Sequence, residues 1–221
     1  MSGATMKTIT IVLADDHHIV RQGFRSLLEN QEGFSVIAEA GDGLEAVKTT
    51  GSLKPDVLVV DLMMPCLNGL EVTRQVGKLS PNTRAIILSM YMDEPYVIEA
   101  LQNGAWGYVL KESNISDLVK AIREVAAGRH YLGSPLSELA ISAYKEKTKG
   151  VSLDPYNTLT TREREVLQLV VEGYTNADIA GKLFISQRTV ESHRASMMQK
   201  LSLASRSDLV AYAVKRGLCR R

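Results

Sequence analysis

The chain has little cysteine. Cys66 and Cys219 are its only two, and they fall in opposite thirds of 221 residues. That speaks against a disulfide framework or a cysteine-built zinc site and suits free thiols in a reducing cytosol. No run of about 18 apolar residues occurs, so no transmembrane helix is expected. The opening MSGATMK lacks the apolar core of a secretory signal, which again favours a cytoplasmic protein. A strong excess of charge is missing too, the net value being +1. Its distribution is uneven: residues 1–149 hold 15 Lys/Arg against 18 Asp/Glu, and residues 150–221 hold 11 against 7. A slightly acidic front and a basic back point to two parts with different partners.

The front alternates short apolar runs with amphipathic stretches. Strands are expected at Thr8–Ala14, Phe34–Ala38, Asp56–Val60, Arg84–Met90 and Trp106–Leu110. Helices are expected between and after them, the last being Ile115–Ala127. Five strand–helix units in so short a span predict an α/β domain over 7–127, a five-stranded parallel sheet with helices on both faces. The rhythm breaks at Gly128, and residues 128–154 read as a linker, helical over Leu136–Tyr144. Residues 155–221 read as a small all-α domain of four helices. Thr160 and Thr161 precede RERE as a capping start, and Thr175–Phe184 is a second helix. Ser186 caps a third running to Leu201, and Ser207–Arg216 is the fourth.

Polar groups gather where the strands end. Asp15 and Asp16 follow the first strand, Asp61 ends the third within VVDLMMP, Ser89 ends the fourth, and Lys111 follows the fifth. Ligands of open α/β sheets bind beyond these carboxyl ends. Neighbouring carboxylates repel unless a cation intervenes, and Mg²⁺ with oxygen ligands suits a site that handles phosphate. Asp61 is placed to attack phosphorus, with Lys111 and Ser89 holding the phosphoryl oxygens. Asp61 is expected not to be buried in its strand but to stand at its open end, where Mg²⁺ and Lys111 compensate its charge. Pro65, lacking an amide hydrogen, ends the extended segment.

These residues, with Asp61-Leu62-Met63-Met64-Pro65 and Gly69, resemble the receiver domain of two-component response regulators. The resemblance implies a flavodoxin-like fold phosphorylated on Asp61 by a sensor histidine kinase. It implies Mg²⁺ held by Asp15, Asp16, Asp61 and the Met63 carbonyl, Asp15 acting through water. Ser89 becomes the switch hydroxyl and Tyr108 the switch aromatic. Glu112 stands where many receivers have proline. The pair His17-His18 reads as a helix start rather than a metal site. Tyr91, two residues past Ser89, is expected to slow hydrolysis of the phosphate.

In the back half, Thr175–Leu201 reads helix–turn–helix. The second helix buries Val190, Met197 and Leu201, which leaves Arg188, Ser192, Ala195 and Gln199 outward, flanked by Glu191 and Ser196. A small polar face of this kind can enter a major groove about 12 Å wide. Thr189, Arg194, Lys182 and Lys200 are placed to meet phosphates. The segment resembles the LuxR-type output domain of NarL/FixJ regulators. That implies a homodimer on paired half-sites of double-stranded DNA, with dimerisation through Leu209, Val210, Ala213 and Val214 and with RNA polymerase as a further partner.

The expected function is phosphorylation-controlled transcriptional regulation, with slow hydrolysis of the protein's own phosphate and no turnover activity. An aspartate-nucleophile phosphatase is the enzyme alternative. That chemistry wants a second aspartate two residues after the nucleophile, where Met63 stands. A receiver-shaped module with phosphate-independent output is the third reading, and the full acidic set argues against it.

Overall fold

The computed structural model describes residues 8–92, 94–133, 155–216 and 218. The helix expected over Leu136–Tyr144 lies outside them. The first domain alternates β1 (Ile9–Ala14), α1 (His18–Glu29), β2 (Phe34–Ala40), α2 (Gly43–Leu53), β3 (Val57–Asp61), α3 (Gly69–Leu79), β4 (Arg84–Ser89), α4 (Glu94–Gln102), β5 (Gly107–Leu110) and α5 (Ile115–Ala126). The sheet has six strands rather than five. A short β6 (Tyr131–Leu132) adds parallel to β5, giving the order β2-β1-β3-β4-β5-β6. Both residues of β6 lie in the stretch 128–154 read as linker.

The central strands are fully buried. Val57–Val60 and Ile86–Ile87 are at most 1% exposed, as a sheet covered on both faces requires. One apolar cluster forms on each face, one around Val12, Leu58 and Ile87 and one around Ile11, Val59 and Ile122. Register then fixes the functional edge. Ala14 pairs with Val60, Asp61 with Leu88, and Ser89 with Leu110, so four strands finish side by side.

The second domain starts with a 3₁₀ turn at Pro155–Thr158, then α6 (Thr161–Val171), α7 (Asn176–Leu183), α8 (Gln187–Lys200) and α9 (Arg206–Lys215). Thr160, Thr175 and Ser205 each close a capping box at a helix start, which satisfies amide donors that would otherwise be orphaned. Val166, Leu167, Ile179, Leu183, Val190, Met197, Leu209 and Ala213 form the core.

Candidate phosphorylation site and DNA-binding surface

Asp61 closes β3 at the strand's end as expected, but contrary to expectation it is buried there, only 3% exposed. Lys111 extends from just past β5, its Nζ 3.0 Å from Asp61 Oδ2 and 2.7 Å from Asp15 Oδ2. Burial pushes the Asp61 carboxyl above its ordinary value, and Lys111 offsets this only in part, with Asp15 pushing it further up. His17 caps the start of α1, its amide donating to Asp15 Oδ1 at 2.8 Å and its Nδ1 lying 2.8 Å from Asp16. Ligand atoms of Asp15, Asp16, His17 and Asp61 lie within 4.8 Å of one another. Three carboxylates against one lysine fit a divalent cation, and the acidic pocket is compatible with metal binding.

Ser89 is fully buried and its Oγ accepts the Tyr91 amide at 2.9 Å. Tyr108 is fully buried too, and its hydroxyl donates to the Tyr91 carbonyl at 2.8 Å. The strand geometry alone allowed Tyr108 a surface position. Instead Ser89 and Tyr108 meet at one residue, Tyr91, Ser89 at its amide and Tyr108 at its carbonyl. Gly69 is required by a close approach: a Cβ there would stand 2.3 Å from the Asp61 carbonyl oxygen. The start of α3 is thereby packed directly behind the acidic residue.

Beyond Pro65 the chain makes a tight turn, Leu67 N–H donating to Pro65 O at 2.7 Å with Cys66 at φ +67°. A non-glycine residue there is held in the uncommon left-handed region. The Cys66 amide leaves the first domain and donates to both Glu172 carboxylate oxygens at 3.1 Å. Nothing in the local sequence signals this contact. Further links run from α3 to α6: Arg164 to Glu71 at 3.4 Å, Arg74 to Thr161 at 2.7 Å, and Gln75 to Glu165 at 3.0 Å. Arg216 reaches Glu99 at 3.0 Å, and the guanidinium groups of Arg164 and Arg216 both lie over the Tyr156 ring. Burial pushes the Glu172 carboxyl and the Cys66 thiol upward. The loop that follows Asp61 is thus part of the interdomain contact.

That contact leaves the outer face of α8 open. Arg188, Glu191, Ser192, Ala195 and Gln199 are exposed. The expected phosphate contacts are engaged elsewhere. Lys200 Nζ binds both Glu163 oxygens at 2.7 and 2.8 Å, and Arg194 Nη1 donates to Asn176 at 2.6 Å. Lys182 lies 3.6 Å from the Cys66 sulfur and over the Tyr174 ring, while Thr189 Oγ1 sits 2.7 Å from the Ser186 hydroxyl. The expected dimerisation stripe needs correction. Leu209 and Ala213 are at most 1% exposed and belong to the domain's own core, so they are not available to a partner. Val210 and Val214 remain accessible and line an interdomain cleft of about 580 Å³ together with Asp16, Met63, Met64 and Pro65.

The model of the response regulator receiver domain matches residues 11–123, and that of the bacterial regulatory proteins of the luxR family matches residues 157–213. The oxygen regulatory protein NreC of Staphylococcus epidermidis is 41% identical, covering 94% of this chain and 98% of its own. That of Staphylococcus haemolyticus is 42% identical with the same coverage. Among solved structures, the two-component response regulator RcsB in complex with DNA is 28% identical at TM-score 0.59, covering 94% of this chain and 98% of its own. A LuxR-family two-component response regulator from Aurantimonas is 37% identical at TM-score 0.58, covering 65% of this chain and all of its own. Related along both domains to such proteins, the chain belongs to the NarL/FixJ family of response regulators, DNA-binding proteins of two-component systems.

Proposed function

We propose that this protein is cytoplasmic and is phosphorylated on Asp61 by a sensor histidine kinase, and that the phosphate promotes dimerisation and sequence-specific transcriptional control. The observation that carries this is Asp61 itself, buried beside Lys111 with its charge only partly compensated. Asp61 Oδ attacks phosphorus of the kinase's phosphohistidine. The P–O bond forms as the P–N bond breaks, and the electron pair stays on the imidazole. Lys111 meets one phosphoryl oxygen and the Ser89 hydroxyl another. Asp16, Asp61 and the Met63 carbonyl would hold Mg²⁺, with Asp15 acting through water, and the ion would supply positive charge near the transferring group. Hydrolysis of the aspartyl phosphate is slow because the Tyr91 ring narrows the path of water.

Ser89 turning toward phosphate gives up the Tyr91 amide, and Tyr108 follows through the Tyr91 carbonyl. The loop at Met63–Cys66, which follows Asp61 directly, would shift once Asp61 carries the phosphoryl group, and this would weaken the Cys66–Glu172 contact. The freed output domain pairs through the exposed residues of α9 near Val210 and Val214. Its α8 then presents Arg188, Thr189, Glu191, Ser192 and Ala195 to the major groove of paired half-sites, with Lys182 released to a phosphate. Arg194 and Lys200 act by holding α8 in place as much as by touching phosphate. The stretch 128–154, read as the linker, would permit this separation. RNA polymerase is the partner of the DNA-bound dimer.

The test compares operator binding by wild type and Asp61→Asn before and after treatment with phosphoramidate and Mg²⁺. Tighter binding by treated wild type alone is expected. An equal gain in both proteins removes Asp61 from the scheme.

A further inference from the structure

Phe184 forms the turn between α7 and α8, and two features of it are unusual. It is 94% exposed, more than any other large apolar residue described. Its backbone is left-handed, at φ 55° and ψ 45°. Among the described residues only Lys54, Cys66 and Ser202 are other non-glycines at positive φ, and none of them is aromatic. The backbone there has a clear task. It ends α7, with the Phe184 amide and then the Ile185 amide donating to the Ala180 carbonyl, the latter at 3.1 Å. Glycine would do this without a Cβ penalty, and asparagine at a smaller one. The ring adds nothing to the turn, and the domain's core does not use it.

The position says what the ring is for. Phe184 stands two residues before Ser186, the N-cap of α8, and is continuous with exposed Ser186, Gln187 and Arg188. The 184 side chain thus stands at the N-terminal end of α8, beside the exposed residues of its first turn. The rim of a major groove is a sugar–phosphate strand, whose deoxyribose rings are its apolar patches. We propose that Phe184 is an apolar DNA contact, its ring packing on a deoxyribose of the strand that borders the groove. This rests on α8 being the groove helix, and it adds a residue that carries neither charge nor hydrogen-bonding capacity.

The test uses the full-length, phosphoramidate-treated protein and a duplex that wild type selects from a random pool. Binding is titrated over a salt series for Phe184→Gly, Phe184→Asn and Arg188→Ala, with thermal unfolding measured alongside. Both Phe184 variants suit the left-handed turn, so their unfolding temperatures are expected to be no lower than wild type. Their dissociation constants are expected to rise about tenfold, worth about 1.4 kcal/mol. The slope of log K against log salt should stay at the wild-type value, since no counterion is released by an apolar contact. If both bind within about twofold of wild type while Arg188→Ala weakens, the proposal is wrong. If all three bind like wild type, α8 is not the groove helix and the proposal falls with that reading. Unchanged binding with lost transcription would assign the ring to a protein partner and also overturn it.

Discussion

Two buried carboxylates, one in each domain, are equally hidden and oppositely treated. Asp61 and Glu163 are each 3% exposed. Burial raises both. At Glu163 the hydrogen bonds from Lys200, Ser196 and Thr160 more than reverse it and hold the carboxyl down to about 2. At Asp61, Lys111 must also serve Asp15, and the carboxyl stays above its ordinary value. A carboxylate that is fully partnered ties α6 to α8 and belongs to the scaffold. One that burial holds above its ordinary value fits a place where charge is added, as functional sites tend to do.

The same change, acid to amide, should therefore act with opposite sign in the two domains. Glu163→Gln leaves Lys200, whose side chain is about a third exposed, facing a neutral partner and is expected to cost the output domain about 1–2 kcal/mol. Chemical denaturation of the full-length protein, followed by a probe in each domain, would measure it; an unchanged output-domain transition would erase the contrast. Acid should reproduce this loss. The folded Glu163 value lies below the unfolded one, so its stabilisation is complete above about pH 4.5. It drains away as pH falls toward 2, the value held in the fold. Glu163→Gln should flatten that limb of the stability curve.

Asp61→Asn should be mildly stabilising, by about 1 kcal/mol, when Mg²⁺ is absent. Here the folded value is raised, so the carboxylate costs stability once pH climbs through it, and the amide removes that cost. The same variant should lose stabilisation by Mg²⁺, which at ten times its dissociation constant gives wild type about 1.4 kcal/mol. Thermal shifts with and without the ion check both signs, and a destabilised Asp61→Asn would contradict them. The smallest effect expected is at Tyr91. Tyr91→Ala should speed loss of the aspartyl phosphate a few-fold, about 1 kcal/mol of barrier. Release of phosphate from labelled protein would follow it, and an unchanged rate would remove the ring from the water path.

What the sequence disclosed follows from where its signals are local. Continuous apolar runs such as DVLVV announce covered strands, and the polar residues that end them fall on one edge because parallel register leaves no alternative. Strand β6 was not legible. Two residues beside a glycine carry no period, and Tyr131–Leu132 become a strand only because β5 offers an open edge. In the output domain, helical spacing identified the outer face of α8 yet could not say which cations are already spoken for. Lys200 sits near the face that could meet phosphate, and only the fold brings Glu163 to it from 37 positions away. Leu209 and Ala213 look like any apolar stripe, and their burial depends on how α9 closes over α6. The Cys66–Glu172 contact spans 106 positions and involves a backbone amide, which no residue type reveals.

The central claim is that Asp61 is under-compensated until phosphate and Mg²⁺ arrive, and that their arrival releases a domain able to pair. Light scattering during size exclusion tests it most directly, on wild type and Asp61→Asn, each with and without Mg²⁺ and beryllofluoride as the phosphoryl mimic. Wild type should double its mass only when both are present, and Asp61→Asn should never change. Dimerisation of Asp61→Asn under the same treatment, or a wild type whose mass ignores the mimic, would contradict it.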